Sequence, residues 1–534
     1  MRRGMTPCLI WRDTGAGYAF PMSEIAPRNR WMRKNLVNIV TKSPRRQAAS
    51  WPPGGGGRRS RRRPRQNRRA GRDSPFLCAK AGWALPPSVA RGRPSLYTRR
   101  VASPPLSITT KGSPSAPVSA AVAATQDDFR LDAVDESLVA PPCFFWESPD
   151  GECVSLIGAS ARRELTGPDP WMEARLWLDK VGASTRLPSQ PPDSTPIAFG
   201  AFSFDGGPAP AWGLPAGMVM IPALQWHRDT DGRALLTTWA DIGPGLDARG
   251  AEPGARAPGV DFDGSTDEWS RSDWSRAVGW ALDRIRTGGI EKVVLARSRV
   301  ARAPHGWDVV RAFTALRETY PSCFRFLYWD DSGGVFLGAS PERLVSLREG
   351  QVRADAVAGT ARLGSADEDA AARALLGDPK ERREHEVVVR EILAALRAAC
   401  PDAAAPTEPA LLRLRGLAHL RTPITATAMP GTHVLDLVSR LHPTPAVAGT
   451  PREEALKLIR VIEARGRGWY AGPIGWMTAG GDGDFAVGIR SAIVRGDRAL
   501  LYAGAGIVAG SQPDREWDEC EAKLASIEDV LLRG

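Results

Sequence analysis

Lys292 stands at the head of an apolar run, Val293-Val294-Leu295-Ala296, and Glu342 follows Pro341 just beyond a second one, Val335-Phe336-Leu337. A lysine drawn inside a protein loses its charge readily and can serve as a general base. A glutamate shielded from water keeps its proton and can serve as a general acid. Glu384-His385 begins a helical stretch, and Glu516, Glu519 and Lys523 recur at i, i+3 and i+7 near the C-terminus. One carboxylate from each of two helices can meet at a hard divalent cation, and Mg²⁺ takes only one or two, leaving positions for waters and substrate oxygens. Arg490 sits in an alternating run with Gly488 and Ala492 on its face. A guanidinium between small residues can grip a carboxylate. Gly504-Ala505-Gly506 ends the next run, where small residues let backbone N–H groups approach an anion. Together these groups suit acid–base chemistry on a small anion.

Each also has an ordinary reading. A lysine heading a strand usually reaches water, and a glutamate after proline usually lies in a solvated turn. A glutamate in a first helical turn answers the helix dipole. A polar stripe opposite Trp517, Leu524, Ile527 and Leu531 is the ordinary outer face of an amphipathic helix.

Hydrophobic periodicity supplies the elements that must position these residues. Helices are expected over 269–290 with Ser272 as cap, 308–320, 366–399, 434–441, 452–465 and 513–532. Strands are expected over 143–146, 153–157, 197–205, 218–222, 234–239 and 291–299, as hairpins over 324–337 and 345–355, and over 411–428. Further strands are expected at 468–472, 485–494 and 499–505, and a long loop over 241–268.

Charge divides the chain. Of its 71 Lys+Arg and 60 Asp+Glu, 25 and 3 fall in residues 1–111, leaving 46 basic against 57 acidic residues in the rest. Residues 1–115 hold four consecutive glycines and eight arginines between 58 and 69, with no lasting amphipathic period. This reads as a disordered basic leader. Three origins stay open: an over-extended start, an organellar transit peptide, or a basic arm for nucleic acid, against which the sparse aromatics count. Residues 116–130 form an Ala/Ser/Pro linker, 131–268 a β-rich front part of the body, and 269–534 the catalytic part. The seven scattered cysteines and six histidines show no metal-ligand spacing, and no apolar run is long enough to cross a membrane. A cytoplasmic setting is expected, or a plastid if the leader is a transit peptide.

The segments EKVVLARSR, FLGASPERL, AGTARLG, KERREHEVVV, LAHLRTPITA, HPTPAVAGTP, GWYAGPIGW, FAVGIRSAIV and YAGAGIVAGSQPDREWDECEAK, in this order, resemble the chorismate-utilising enzymes over about residues 269–530. The resemblance implies an α+β fold like that of anthranilate synthase component I: two large antiparallel β-sheets packed as a sandwich with helices outside. Within the family, water-adding enzymes have a lysine where this chain has Lys292, and ammonia-adding anthranilate synthases have a glutamine. Aminodeoxychorismate synthases carry a lysine where this chain has Ala358. The chain thus looks most like the menaquinone-type isochorismate synthases, with salicylate synthases, which go on to eliminate pyruvate, as the alternative. Menaquinone or siderophore synthesis would then draw on the product.

What the resemblance implies residue by residue is as follows. Lys292 activates the water and Glu342 protonates the departing hydroxyl. Glu384 and Glu519 hold Mg²⁺; Glu519 is preferred over Glu516 and Glu521 for its place four residues before Lys523. Tyr470, Arg490 and the backbone of Gly506 grip the enolpyruvyl carboxylate. Lys523 and the Gly359-Thr360 turn contact substrate or metal waters, and His419 lines the pocket. Chorismate is the implied partner. A monomer is expected, with no glutamine amidotransferase, nucleic acid or membrane partner.

Overall fold

The computed structural model describes residues 141–185, 195–206, 212–239, 264–363, 368–463 and 466–533. The basic leader, the linker and most of the loop expected over 241–268 lie outside them. Among the described residues the strands make two antiparallel sheets. The first runs Gly449–Thr450, Lys292–Arg302, Arg498–Ile507, Ser491–Arg495, Gly334–Ser340, Phe324–Trp329, Cys143–Glu147, Cys153–Ile157, Leu224–Arg228, Ala234–Thr238, with Ser265–Asp267 also on Lys292–Arg302. The second runs Ala410–Leu414, Leu417–Thr427, Gln351–Arg362, Arg343–Arg348, Gly483–Val487, Pro473–Thr478, Ile197–Phe202, Gly217–Ile221, Ala161–Glu164.

Aromatic side chains join the two sheets. Phe199 of the second stacks on Tyr328 of the first with centroids 4.6 Å apart, and Trp469 lies 5.3 Å from Tyr328. The helices cover the outer faces. Val309–Thr319 and Pro513–Arg533 lie on the first sheet, and Glu368–Gly377, Pro379–Arg397 and Val434–Leu441 on the second. Covered on both faces, a strand such as Phe324–Trp329 is apolar and aromatic almost throughout.

Twice the chain turns a corner from one sheet to the other, and the corners lie side by side. Gly334–Ser340 leaves the first sheet and, after Pro341-Glu342, continues as Arg343–Arg348 in the second. Gly483–Val487 leaves the second and, after Gly488-Ile489-Arg490, continues as Ser491–Arg495 in the first. The Ala339 N–H donates to Arg490 O at 3.0 Å, and the Val487 N–H donates to Glu342 O at 3.1 Å. The single strand expected over 485–494 is therefore two strands in different sheets. Arg490 is not an alternating strand residue but a corner residue with φ +51°.

Other expectations shift for local reasons. Ser270, not Ser272, caps Arg271–Arg286, accepting from Asp273 N–H. The stretch 366–399 divides before Pro379, where Asp378 accepts from the N–H groups of Lys380 and Glu381. Glu384 thus lies a turn deeper than expected, and Glu381 holds the first-turn place. Residues 468–472, Gly-Trp-Tyr-Ala-Gly, are as apolar as a strand, yet they turn: Gly472 N–H donates to Trp469 O, and Ala471 has φ +60°. The strand lies just beyond, at Pro473–Thr478. The front part also holds a helix, Pro170–Thr185, that the sequence reading passed over.

A side chain at Gly338 would put its Cβ 2.7 Å from Arg490 O and 2.8 Å from Ser491 Cβ. Gly338→Ala must push the two corners apart, and overpacking of this kind costs about 1–3 kcal/mol. Chemical denaturation should show a lower midpoint with an unchanged slope; an unchanged midpoint would mean that the corners are not tightly nested.

Candidate active site

Lys292 heads its strand as read from the sequence, but its side chain is fully buried. Its Nζ forms an ion pair with Glu384 Oε1 at 2.8 Å and has no well-aligned hydrogen-bond acceptor among the described residues. Gly506, on the neighbouring strand, makes this meeting feasible. A Cβ there would lie 2.1 Å from Glu384 Oε1 and 3.0 Å from Lys292 Cε. The glycine expected to offer backbone to an anion thus also leaves room for a lysine and a carboxylate.

Glu342 projects from the first corner and is 2% exposed. Burial pushes its pKa up to about 8, the charge of Asp355 adds to this, and Lys292 opposes it. Thr444 Oγ1 reaches its Oε1 at a marginal 3.5 Å. Arg490 projects from the second corner and is likewise buried. Its Nη2 is 2.7 Å from His419 Nε2, while Nη1 has no partner among the described residues. An arginine only donates, so His419 accepts at Nε2 and carries its proton on Nδ1, facing Gly359 O at 3.3 Å and Thr360 Oγ1 at 3.2 Å. Burial and the neighbouring Arg490 keep this imidazole neutral, its pKa well below the usual value.

Gly359 is a bulge. The register of Gln351–Arg362 against Leu417–Thr427 steps from Ala358 opposite Leu420 to Thr360 opposite His419, and Gly359 has φ +78°. The bulge turns the Thr360 N–H to Glu381 Oε2 at 2.8 Å. From the C-terminal helix, Lys523 Nζ donates to Glu519 Oε1 at 2.6 Å and Gly504 O at 2.8 Å. Burial opposes the charge of Glu519, but the Lys523 pairing prevails and holds its pKa below the usual range. Tyr470, in the 468–472 turn, is buried and stacks on Tyr502 with centroids 4.8 Å apart.

One pocket gathers Glu342, Gly359, Thr360, Glu384, His419, Tyr470, Arg490, Gly506, Glu519 and Lys523. Lys292 lies behind Glu384 rather than in the pocket wall, where Val294 stands. The free volume is about 80 Å³, room for a few waters. A larger anion must part the ion pairs that fill the space.

Two further groups, Lys380 and Glu381, escape the sequence reading, and Glu516, there a rival to Glu519, joins them. Lys380 Nζ bridges Glu381 Oε1 at 2.9 Å and Glu516 Oε1 at 3.1 Å. Burial raises the pKa of both acids, that of Glu516 to about 7. The signal was present: both helices carry Glu-x-x-Glu, Glu381 with Glu384 and Glu516 with Glu519. Residues at i and i+3 share one helix face, so each pair points the same way. The described residues contain no preformed cluster of three or more metal-ligating side chains. The donor set nevertheless fits a hard cation. Every one of these carboxylates faces an ammonium group, and Glu384 and Glu519 reach the pocket from opposite helices.

Two antiparallel sheets with a small pocket of paired carboxylates and cations suit an enzyme for a small anion. Residues 118–532 match the family model described as chorismate binding enzyme, and the chain belongs to that family. It is 34% identical over 411 residues to "Isochorismate synthase MenF" of Bacillus subtilis, covering 71% of this chain and 86% of the relative. It is 35% identical over 422 residues to "Salicylate biosynthesis isochorismate synthase" of Pseudomonas aeruginosa, covering 73% and 85%. Among solved structures it resembles the menaquinone-specific isochorismate synthase MenF of Escherichia coli, with a TM-score of 0.65 and 28% identity over 78% of this chain and 95% of that one. Anthranilate synthase component I of Streptococcus pneumoniae shares the fold, with a TM-score of 0.59 at 22% identity over 73% and 93%.

Stability should report the buried acid. A glutamate unfolds to a pKa of about 4.3, whereas folded Glu342 holds its proton up to about 8. Between these values the folded state binds more protons than the unfolded one, so stability falls as pH rises and levels off above about 8. Glu342→Gln removes this contribution. Its stability relative to wild type should rise between pH 5 and 8, by an amount on the order of 3 kcal/mol. Denaturation curves at pH 5, 6.5, 8 and 9 provide the check, and parallel pH profiles would mean that Glu342 ionises normally.

Proposed function

We propose that the protein is an isochorismate synthase, an isomerase that adds water at C2 of chorismate as the C4 hydroxyl departs. One observation carries the reading: a fully buried lysine, Lys292, 2.8 Å from Glu384, with a glutamate protonated up to about 8 close enough to feel the lysine's charge. An amide at this position is too weakly basic to take a proton from water; a neutral lysine amine is basic enough. The relatives of matching length carry the isochorismate synthase name, which supports the same reading.

The residues divide the work. Lys292 takes a proton from the attacking water as its oxygen bonds to C2. The ring double bonds shift and the C4–O bond breaks. Glu342 gives its proton to the departing hydroxyl, which leaves as water, so substrate and product are isomers. Arg490 offers its unpartnered Nη1 to the enolpyruvyl carboxylate, with Tyr470 and the Gly506 backbone beside it. His419, oriented by its proton on Nδ1, holds Arg490 in place. Lys523 and the Gly359-Thr360 bulge also line the pocket. Mg²⁺ held by Glu384 and Glu519 would neutralise the ring carboxylate and draw the charge of Glu384 away from Lys292. Because water is the nucleophile, the reaction needs no ammonia-supplying partner.

Incubation of the full chain with chorismate and Mg²⁺, followed by NMR of the products, tests the reading. Isochorismate should accumulate alone. Salicylate with pyruvate would instead support a salicylate synthase, and no turnover would refute both. Lys292→Ala and Glu342→Gln should each lower kcat by about 10²–10⁴, the range for loss of a general base or acid, with much smaller changes in KM. A near wild-type kcat in either variant would overturn that residue's role.

A further inference from the structure

Along the helix Pro379–Arg397, outside the catalytic pocket, a second and larger pocket of about 350 Å³ opens to solvent, with Glu386, Arg390, Arg397, Pro406 and Thr407 exposed. That volume falls within the range of small-molecule sites. Val389, Leu393, Pro406 and Pro409 form its apolar walls. Its charged lining is Arg382, Arg390 and Arg397 against a single acid, Glu386. Arg382 is engaged by Glu408 at 2.9 Å, and Arg390 by Glu291 at 2.8 Å. Arg397 donates its Nε to Ala403 O at 3.1 Å and has no carboxylate partner among the described residues. The cavity thus joins an apolar body to one uncommitted guanidinium.

His385 connects this cavity to the catalytic pocket. Its ring lines the second cavity, where its Nε2 is 2.7 Å from Thr422 Oγ1, and its Nδ1 lies 3.2 Å from Ala358 O. The Ala358 carbonyl can only accept, so the ring carries a proton on Nδ1. It donates to the Ala358 carbonyl and accepts from the threonine. Ala358 lines the catalytic pocket next to the Gly359 bulge, and Glu384, the residue before His385, lines that pocket too.

We propose that this cavity is a second ligand site, for a small organic monoanion with a ring-sized apolar body. The carboxylate is held by Arg397, the body lies against Leu393 and Val389, and occupancy is felt in the catalytic pocket through His385. An arginine pairs bidentately with a carboxylate, and the walls remove apolar surface from water. The coupling part rests on the chorismate reading; the binding part does not.

The probe is 4-fluorobenzoate, followed by ¹⁹F NMR on the full chain, with 4-fluorobenzyl alcohol as its uncharged match. The anion should bind saturably and at least tenfold more tightly than the alcohol. Arg397→Gln should weaken binding at least tenfold, as expected for loss of a charge-assisted hydrogen bond. Leu393→Trp, which fills the cavity, should abolish it. Arg490→Gln, in the catalytic pocket, should leave it intact. Absence of saturable binding, or loss of binding in Arg490→Gln with retention in Arg397→Gln and Leu393→Trp, overturns the site. For the coupling, saturating 4-fluorobenzoate should shift KM for chorismate at least twofold in wild type and not in Arg397→Gln. A KM unmoved in wild type overturns the coupling while the binding result stands by itself.

Discussion

Two backbone hydrogen bonds, Ala339 N–H to Arg490 O and Val487 N–H to Glu342 O, tie together the places where the chain passes between sheets. The site depends on this junction. Glu342 and Arg490 both sit in the connecting residues, beyond the ends of regular strands, so their side chains enter the space between the sheets rather than a packed face. The arrangement has a conformational cost. Arg490 adopts φ +51°, where a Cβ crowds the backbone, and a non-glycine residue there costs on the order of 1–2 kcal/mol. It is held by close approach. Gly338 lets the Arg490 carbonyl come near, and a Cβ at Gly488 would stand 2.8 Å from Trp469 O. Those glycines, together with the aromatic contacts of Trp469, hold the corner in a conformation the residue would not adopt alone.

Much of this could be read from the sequence, and the failures share a cause. Apolar runs marked nearly every strand of the catalytic part, because strands buried on both faces must be apolar. Lys292, Glu342, Glu384, Glu519, Arg490 and Lys523 were found as candidates, and all lie in or directly behind one pocket. Hydrophobic periodicity, however, reports burial and not which sheet buries a residue. The run 485–494 is apolar across a change of sheet, so it read as one strand and Arg490 as a strand residue. The 468–472 turn is as buried as a strand because the core passes over it. A residue-by-residue reading of the two helices leaves Glu381 and Lys380 out of account and keeps Glu516 only as a rival to Glu519. Glu516 is 2% exposed and faces Lys380, although its place on a polar stripe suggests a solvated face.

The charges of the pocket explain why a doubly charged anion and a divalent cation suit it together. Four acids, Glu381, Glu384, Glu516 and Glu519, stand among four cations, Lys292, Lys380, Lys523 and Arg490. Glu342 adds no charge while it holds its proton. Inside a region of low dielectric, unbalanced charge is far more costly than in water. A dianion entering such a balanced set by itself would leave two uncompensated negative charges. Glu384 and Glu519, as the proposed holders of a divalent cation, would bring in the charge that offsets it. The same balance bears on the base. In the proposed reaction, Glu384 is both the ion-pair partner of Lys292 and a residue that would hold the cation. The close pairing of Lys292 and Glu384, made possible by the missing side chain at Gly506, is thus compatible with catalysis. Under the proposed function, it sets the amine beside the carboxylate that would also hold the metal.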